Sequence, residues 1–184
     1  MKKNSSYILI IGFLWFFMPS FVLAQTKEEL DSMYIVSDAL AISKTSQSIL
    51  DGRTPERPFC EVPIMEFIPL DSLIIKSKMF SKEKITVLAR ERKRITITFY
   101  CNMKGEIEAI FYGGIGDKTI PLKSTEDLSV ITPYELYQLE KLLIGKQKFK
   151  LYTESCDPNS YCKLIMPCRF ENLLKYIEEE IDNQ

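Results

Sequence analysis

The sequence predicts an α+β fold, in which an antiparallel sheet of about four to six strands is covered on one face by helices. Two observations lead to this prediction. Alternating apolar residues around a short turn indicate a β-hairpin over residues 95–112, and a capped apolar stripe indicates a helix over residues 133–144. Shorter apolar runs on both sides of this unit supply the remaining strands and helices.

Residues 1–24 have the three parts of a secretory signal peptide. Lys2 and Lys3 form a charged start, Tyr7–Phe17 is an almost continuous apolar core, and Val22–Ala24 ends in small residues suited to cleavage. The alternative is an uncleaved membrane anchor, which the shortness of the apolar run disfavours. We therefore expect an exported protein, periplasmic or secreted, with no transmembrane segment once the leader is removed.

The composition restricts both the size and the chemistry of the mature protein. Residues 25–184 have the length of a single domain, and 46% of the whole chain is hydrophobic. The 24 Lys and Arg nearly balance the 25 Asp and Glu, so we expect no nucleic-acid partner. Histidine is absent, which removes the commonest general base and the usual zinc ligand. We expect no catalytic activity, no cofactor and no metal.

The segment before the hairpin gives weaker signals. Residues 26–42 predict a helix or a turn, and the polar run Ser43–Ser48 is a poor continuation of a helix. Asp51–Pro69 contains four prolines, which is typical of an extended segment at a sheet edge. Two apolar runs, Leu73–Ile75 and Ile85–Ala89, predict short strands, the second paired with the start of the hairpin.

The hairpin itself is predicted from the two-residue period. Ile95–Cys101 has an apolar residue at every odd position, as a strand with one buried face requires. The turn Asn102–Gly105 ends in a glycine that can take the left-handed conformation. Glu106–Tyr112 continues the alternation as the second strand. Its residues predicted to point inward are Ile107, Ala109 and Phe111.

The helix is predicted from its caps. Thr132 and Glu135 fit a capping box, Pro133 suits the first helical position, and Gly145 is placed to end the helix. The predicted buried stripe consists of Leu136, Leu139, Leu142 and Leu143. The residues predicted to face outward are Gln138, Glu140 and Lys141. Further on, Phe149–Thr153 and Lys163–Met166 predict two closing strands, and Phe170–Ile181 predicts a final amphipathic helix.

Residues 94–153 form the core hairpin–helix–strand unit of this prediction. The strand, the Asn-x-x-Gly turn, the second strand and the helix with Leu-x-x-Leu-Glu-Lys-Leu-Leu together resemble the C-terminal domain of TonB-type periplasmic proteins. The same unit is similar to small exported bacterial proteins of unknown function. The resemblance implies a small domain that works in the cell envelope.

Five cysteines in an exported protein predict disulfides and one unpaired thiol. Cys156 and Cys162 flank a turn-forming sequence and are the preferred pair, and Cys60 with Cys168 is the second. Cys101 lies on the apolar face of its strand and is expected to be a buried free thiol. Spacing leaves all three connectivities of four cysteines open. A metal or redox site is less favoured, since no Cys-x-x-Cys pair is present.

Two regions are candidates for binding a partner. Arg90, Arg92, Lys93 and Arg94 end a basic stretch that either forms a docking face for an anionic partner or only solvates turns and strand edges. The irregular segment Gly113–Ile131 is the second region. Its clustered glycines, which allow unusual backbone conformations, are Gly113, Gly114 and Gly116.

The function expected from these features is that of a non-catalytic binding or accessory module of the cell envelope, with a protein or a glycan as partner. One alternative is a small hydrolase that uses two carboxylates, for which Glu61 with Glu66 and Glu106 with Glu108 are the available pairs. The other is an inhibitor or immunity-type protein, which would show one large apolar patch.

Overall fold

The protein is seen in a computed structural model, and residues 29, 32–52, 59–116, 118–125 and 127–182 are described. The proposed signal peptide, residues 1–24, lies outside them. Within the described residues the chain forms seven strands and five helices, which confirms the α+β class. None of these helices is long and apolar enough to cross a membrane.

The described strands are β1 (Tyr34–Ser37), β2 (Leu40–Ser43), β3 (Ile64–Phe67), β4 (Arg94–Asn102), β5 (Ile107–Gly113), β6 (Phe149–Leu151) and β7 (Tyr161–Arg169). Five of them form one antiparallel sheet in the order β1-β2-β5-β4-β7, and β3 pairs with β6 in a separate two-stranded sheet. The helices are α1 (Lys44–Gly52), α2 (Leu70–Ser77), α3 (Lys82–Arg90), α4 (Pro133–Lys146) and α5 (Phe170–Asp182).

The central hairpin is confirmed as β4 and β5. The Gly105 amide donates to the Asn102 carbonyl over 2.9 Å, and the Asn102 side chain accepts from the Lys104 amide over 2.9 Å. Gly105 has a φ of +75°, the left-handed conformation that the turn sequence predicted. The turn residues therefore fix the hairpin in the expected place.

A β-bulge reverses the face that β5 presents to the core. Cys101 pairs with Ile107, and its neighbour Tyr100 pairs with Ala109. The extra residue of β5 between Ile107 and Ala109 shifts the alternation of side chains by one position. Ile110 and Tyr112 are fully buried as a result. Of the predicted inward residues, Ala109 is fully buried and Ile107 packs against the core cluster. The prediction is wrong for Phe111, which is only partly buried and lies outside that cluster.

The two strands predicted before the hairpin are helices, α2 and α3. The Ser81 side chain accepts a hydrogen bond from the Lys84 amide and caps the start of α3. Ile85, Leu88 and Ala89 are buried at helical spacing along one face of α3. Short apolar runs do not distinguish a buried strand from a buried helix, which is why the sequence prediction failed here.

The described part of the N-terminal segment also differs from expectation. In place of a helix or turn ending at residue 42, β1 and β2 form a hairpin at the edge of the sheet. The polar run after it begins α1, because the Ser43 hydroxyl accepts from the Ser46 amide over 3.1 Å and caps the first turn. After α1, Val62 is buried and β3 is an edge-type strand, as the prolines predicted.

Helix α4 confirms the capping box. Thr132 accepts from the Glu135 amide, and the Glu135 carboxylate accepts from the Thr132 amide over 2.8 Å. The same carboxylate binds Lys84 at 2.7 Å and so attaches α3 to α4. The predicted stop at Gly145 is wrong, because the helix continues to Lys146. The fully buried leucines are Leu136, Leu139 and Leu143.

The closing strands are not neighbours of each other. Strand β6 pairs with β3, whereas β7 runs antiparallel to the whole of β4. Along β7, buried and exposed side chains alternate, so one face is covered and the other is open. The final helix α5 is confirmed. The covered face of β4 and β7 carries Ile95, Ile97, Phe99, Cys101, Cys162, Leu164, Met166 and Cys168, and helices α2 to α5 pack against it.

Candidate functional site

A cleft of about 410 Å³ lies where β4 begins and where β7 passes into α5. Its lining residues are Arg92, Lys93, Arg94, Arg169 and Glu171. Three of the four predicted basic residues line this cleft, and Arg90, at the end of α3, does not. The cleft is therefore strongly cationic, with one carboxylate on its wall.

The strand register places two arginines side by side. Arg94 and Arg169 are Cα partners in the antiparallel pairing of β4 with β7. Both side chains are exposed, on the face of β7 that the helices leave open. The Phe170 amide donates to the Lys93 carbonyl over 3.3 Å and extends this pairing to the start of α5. Like charges directly opposite on neighbouring strands destabilise a sheet, so this pair has a cost in folding.

A tight turn brings the third arginine to the cleft. The amides of Arg92 and Lys93 donate to the carbonyls of Ala89 and Leu88, each over 2.9 Å, and end helix α3. Arg92 has a φ of +53°, a left-handed conformation that costs a non-glycine residue about 1–2 kcal/mol. The backbone thus holds an arginine where a glycine would be less strained.

The charges in the cleft differ in their partners. The Lys93 ammonium donates to the Thr119 carbonyl over 2.8 Å and lies 3.9 Å from a Glu91 oxygen. Among the described carboxylates, none is ion-paired with any of the three arginines. Guanidinium groups bind carboxylate or phosphate through two parallel hydrogen bonds. The three arginines are thus available for an anionic ligand.

The predicted glycines lie beside the cleft rather than in its wall. A Cβ on Gly114 would come within 2.4 Å of the Arg94 carbonyl, and Gly114 has a φ of +81°. Gly113 packs on Thr96, and Gly116 packs on the backbone of Ser37 and Asp38. These glycines therefore allow the loop to approach β4 closely behind Arg94, and they do not line the cleft.

A second polar cluster is buried under the β1–β2 hairpin. The Glu140 carboxylate, predicted to face outward, is only 8% exposed. It accepts hydrogen bonds from the hydroxyls of Tyr34 (3.0 Å), Ser43 (2.7 Å) and Ser46 (3.2 Å). Glu140 lies four residues after Leu136 and three before Leu143, and this helical spacing was the signal that sequence reasoning missed.

This cluster joins separate parts of the fold. Ser46 also accepts from the Ile110 amide over 3.1 Å, at a position of β5 that has no partner in β2. Burial, followed by the Glu140 charge, raises the pKa of Tyr34. Burial raises the pKa of Tyr112 as well, and its hydroxyl has no hydrogen-bond partner among the described residues. We interpret the cluster as an anchor of the hairpin on α4, since Glu140 of α4 binds hydroxyl groups at both ends of the hairpin and in α1.

The observed disulfide joins Cys60 to Cys156, with Cα atoms 6.1 Å apart. Both predicted pairings, Cys156–Cys162 and Cys60–Cys168, are therefore wrong. The cause is topological, because Cys162 and Cys168 lie on the buried face of β7 and β6 is not its hairpin partner. Cys101 is buried and is not part of the disulfide, as predicted. The thiols of Cys162 and Cys168 are likewise buried and outside the disulfide.

The described residues offer few side chains for a metal site or for a hydrolase that uses two carboxylates. They contain no group of three or more His, Cys, Asp or Glu side chains that could hold a metal ion. Of the carboxylates considered for hydrolysis, Glu66 pairs with Lys150 at 3.0 Å on the surface, and Glu106 accepts from the Asn102 side chain. The cleft has the single carboxylate of Glu171.

Comparison with known proteins gives no relative for this chain. No protein-family model, no curated protein and no solved structure matches it. The resemblance of residues 94–153 to the C-terminal domain of TonB-type proteins therefore stays a prediction.

Proposed function

We propose that this protein is an exported, non-catalytic binding module that holds an anionic group of an envelope glycan in the cleft between β4, β7 and α5. The observation that supports this proposal most is the cross-strand pair of Arg94 and Arg169, with Arg92 lining the same cleft. None of these three arginines is ion-paired with a described carboxylate. Export rests on the sequence of residues 1–24. The disulfide is compatible with an oxidising compartment.

The energetics of the arginine pair favour a bound anion. Two like charges opposite each other on neighbouring strands cost roughly 0.2–1 kcal/mol. A carboxylate or phosphate between them replaces that repulsion with charge-assisted hydrogen bonds, each contributing about 1.5–3 kcal/mol. The strained Arg92 adds a third guanidinium at the same place. Residues with a strained backbone conformation are concentrated at functional sites.

The size of the cleft supports a small anionic group over an extended protein segment. Its volume of about 410 Å³ is within the range of sites for small molecules. A single acidic sugar or a phosphorylated sugar fits such a volume, while a protein partner would need an interface of at least about 1,000 Å² in total. The one carboxylate, Glu171, can accept hydrogen bonds from the sugar hydroxyls.

Isothermal titration with acidic oligosaccharides tests the proposal. We expect oligogalacturonate or a sugar phosphate to bind the purified protein, with affinity that falls as salt is added. Arg94→Gln and Arg169→Gln should each weaken binding about tenfold or more, since each removes a charge-assisted hydrogen bond. The matched control is Lys150→Gln, which removes an exposed cation of β6 that already pairs with Glu66 and should leave affinity within about twofold.

Two outcomes would contradict the proposed function. One is equal binding of a neutral oligosaccharide of the same length, which would show that charge does not matter. The other is tight binding of a poly-glutamate peptide together with no binding of any acidic sugar, which would make the partner an acidic protein. Circular dichroism of each variant establishes that its fold is intact.

A further inference from the structure

Three cysteines lie in one row across the edge of the main sheet. Cys101 and Cys162 are Cα partners in the pairing of β4 with β7. On the other side of β7, Phe59 forms a parallel bridge with Tyr161, and the Cys60 amide donates to the Tyr161 carbonyl over 2.9 Å. Cys60 is the residue after Phe59, and Cys162 is the residue after Tyr161. The two cysteines are therefore adjacent in this parallel pairing. Cys162 therefore has a cysteine next to it on each side.

The aromatic residues that precede these cysteines show which face the thiols share. The rings of Phe59 and Tyr161 lie 5.7 Å apart, and those of Tyr100 and Tyr161 lie 6.2 Å apart, so the three rings are on one face. Successive side chains of a strand point to opposite faces. The three cysteines that follow them consequently point to the other face, toward the core.

Burial agrees with that placement. The side chains of Cys101 and Cys162 are 0% and 1% exposed, and the bridged Cys60 and Cys156 pack against the same core cluster. Cys60, Cys162 and Cys101 thus occupy neighbouring register positions on the core side, and Cys156 is joined to them through Cys60. This group is separate from the arginine cleft, which none of these cysteines lines.

The geometry of the Cys101–Cys162 pair suits a bond between the two sulfur atoms. Antiparallel partners have Cα atoms about 4.5–5.5 Å apart, inside the range of about 4.4–6.8 Å that disulfides occupy. A hydrogen bond from the Cys101 side chain lowers the pKa of the Cys162 thiol, although burial acts in the opposite direction. A larger thiolate fraction makes Cys162 the better nucleophile of the pair.

We propose that these four cysteines form a thiol–disulfide exchange site, in which the bridge moves from Cys60–Cys156 to Cys101–Cys162. The Cys162 thiolate attacks Cys60, a Cys162–Cys60 bond forms, and the electron pair of the broken bond leaves on Cys156, which takes a proton. The Cys101 thiolate then attacks Cys162 and releases Cys60, which is protonated in turn. One disulfide breaks and one forms, so no outside oxidant or reductant is consumed.

The exchange would change how the surface segments are held. The Cys60–Cys156 bridge fastens the strand-like segment before β3 to the loop between β6 and β7. The Cys101–Cys162 bridge would instead join two strands that are already paired, and would leave both segments without their covalent link.

Mass spectrometry of alkylated peptides tests this site. The reduced protein is oxidised with one equivalent of oxidised glutathione, the Cys60–Cys156 isomer is isolated, and it is then incubated without oxygen, thiol or oxidant. Samples are quenched in acid, alkylated and digested. We expect the Cys101–Cys162 peptide to appear with time, about tenfold faster per pH unit below the thiol pKa. A bridge that stays on Cys60–Cys156 at every pH would overturn the proposal.

Variants separate the two steps of the exchange. Cys101→Ala should stop the reaction at a Cys60–Cys162 bridge, because the thiol that resolves it is gone, and Cys162→Ala should abolish all new bridges. Cys168→Ala is the matched control, since that buried thiol of β7 pairs with Ile95 rather than with a cysteine. If Cys162→Ala does not fold by circular dichroism, the Cys101→Ala variant decides alone, and absence of a Cys60–Cys162 bridge in it overturns the proposal.

Discussion

The buried carboxylate of Glu140 determines how three hydroxyl groups are satisfied inside the protein. Replacing it with alanine leaves the donors of Tyr34, Ser43 and Ser46 without their acceptor, at about 1–3 kcal/mol for each one left unpaired. We expect Glu140→Ala to lower the free energy of unfolding by about 3 kcal/mol or more. Glu140→Gln keeps an acceptor oxygen and should lower it less.

Urea denaturation followed by circular dichroism measures both Glu140 variants. The control is Glu178→Ala, which removes an exposed glutamate of α5 and should change the free energy of unfolding by less than about 0.5 kcal/mol. Equal midpoints for Glu140→Ala and the control would show that the buried cluster does not anchor the hairpin.

Two tyrosines of this cluster predict opposite effects of the same chemical change. The Tyr34 hydroxyl donates to Glu140 over 3.0 Å, so Tyr34→Phe should destabilise the protein by about 1–3 kcal/mol. The Tyr112 hydroxyl is buried without a partner among the described residues. Tyr112→Phe removes this unpaired group and should be neutral or stabilising by up to about 1 kcal/mol. Thermal melts of the two variants test the pair, and a destabilised Tyr112→Phe would reveal a partner for that hydroxyl.

Residues of the candidate site could be predicted only in part. Arg92, Lys93 and Arg94 were found because they are adjacent in the sequence. Arg169 was missed because its place depends on the pairing of β7 with β4, and no local pattern encodes which strands become neighbours. Glu140 was missed because a charged residue on a helix was assumed to be solvated, although its spacing placed it on the buried stripe.

At the scale of single elements, prediction succeeded where a turn or cap fixed the structure locally. The hairpin turn at Asn102 and the capping box at Thr132 depend on side chains within a few residues of each other, and both are present. The prediction for α3 failed for the opposite reason. Its apolar run fits the period of a strand as well as that of a helix, and packing on α5 decided in favour of the helix. The bulge in β5 inverted the buried face of a correctly placed strand.

Two glycines in the central unit predict opposite results of substitution by alanine. A Cβ on Gly105 would lie 1.9 Å from the Phe149 carbonyl oxygen, and the residue has a φ of +75°. Gly105→Ala should therefore destabilise the hairpin by more than the about 1–2 kcal/mol of the left-handed conformation alone. Gly145 lies inside α4 with nothing within 4 Å of an added Cβ. Gly145→Ala should stabilise the helix by about 0.5–1 kcal/mol. Chemical denaturation measures the change in the free energy of unfolding for both variants. Changes of the same sign would contradict this interpretation of the turn.

At the scale of the whole molecule, the disulfide and the sheet order were beyond sequence reasoning because both depend on distant segments. Cys60 and Cys156 are separated by 96 residues, and their bridge forms because the segment of Phe59 lies beside β7. The α+β class was predictable from the periodicity of the longest elements. The class therefore follows from local periods, while connectivity follows from the packing of all elements together.

Stability in alkali is a property of the whole molecule, because it depends on ionisable side chains that are buried in several parts of the fold. Burial, with the Asp71 charge second, raises the pKa of Cys168 from 9.0 to about 12, and burial raises those of Tyr34 and Tyr112 above 10.0. A raised pKa in the folded state means that the unfolded chain loses its proton first. The stability from these groups is complete below about pH 9 and is lost as pH rises through the folded values. Cys162, whose pKa is lowered, acts in the opposite sense.

We therefore expect the free energy of unfolding to fall above about pH 9, by up to about 1.4 kcal/mol per pH unit for each proton released on unfolding. The double variant Tyr112→Phe with Cys168→Ala removes two of these groups and should flatten the fall, even if its stability at neutral pH is lower. Urea midpoints at a series of pH values, measured on freshly prepared samples to limit disulfide exchange, give both slopes. The slope is compared rather than the absolute stability, because the alanine also leaves a small cavity. Equal slopes for the two proteins would mean that neither Tyr112 nor Cys168 has a raised pKa in the folded state. The packing of β5 and β7 against the helices would then not protect these groups from ionisation.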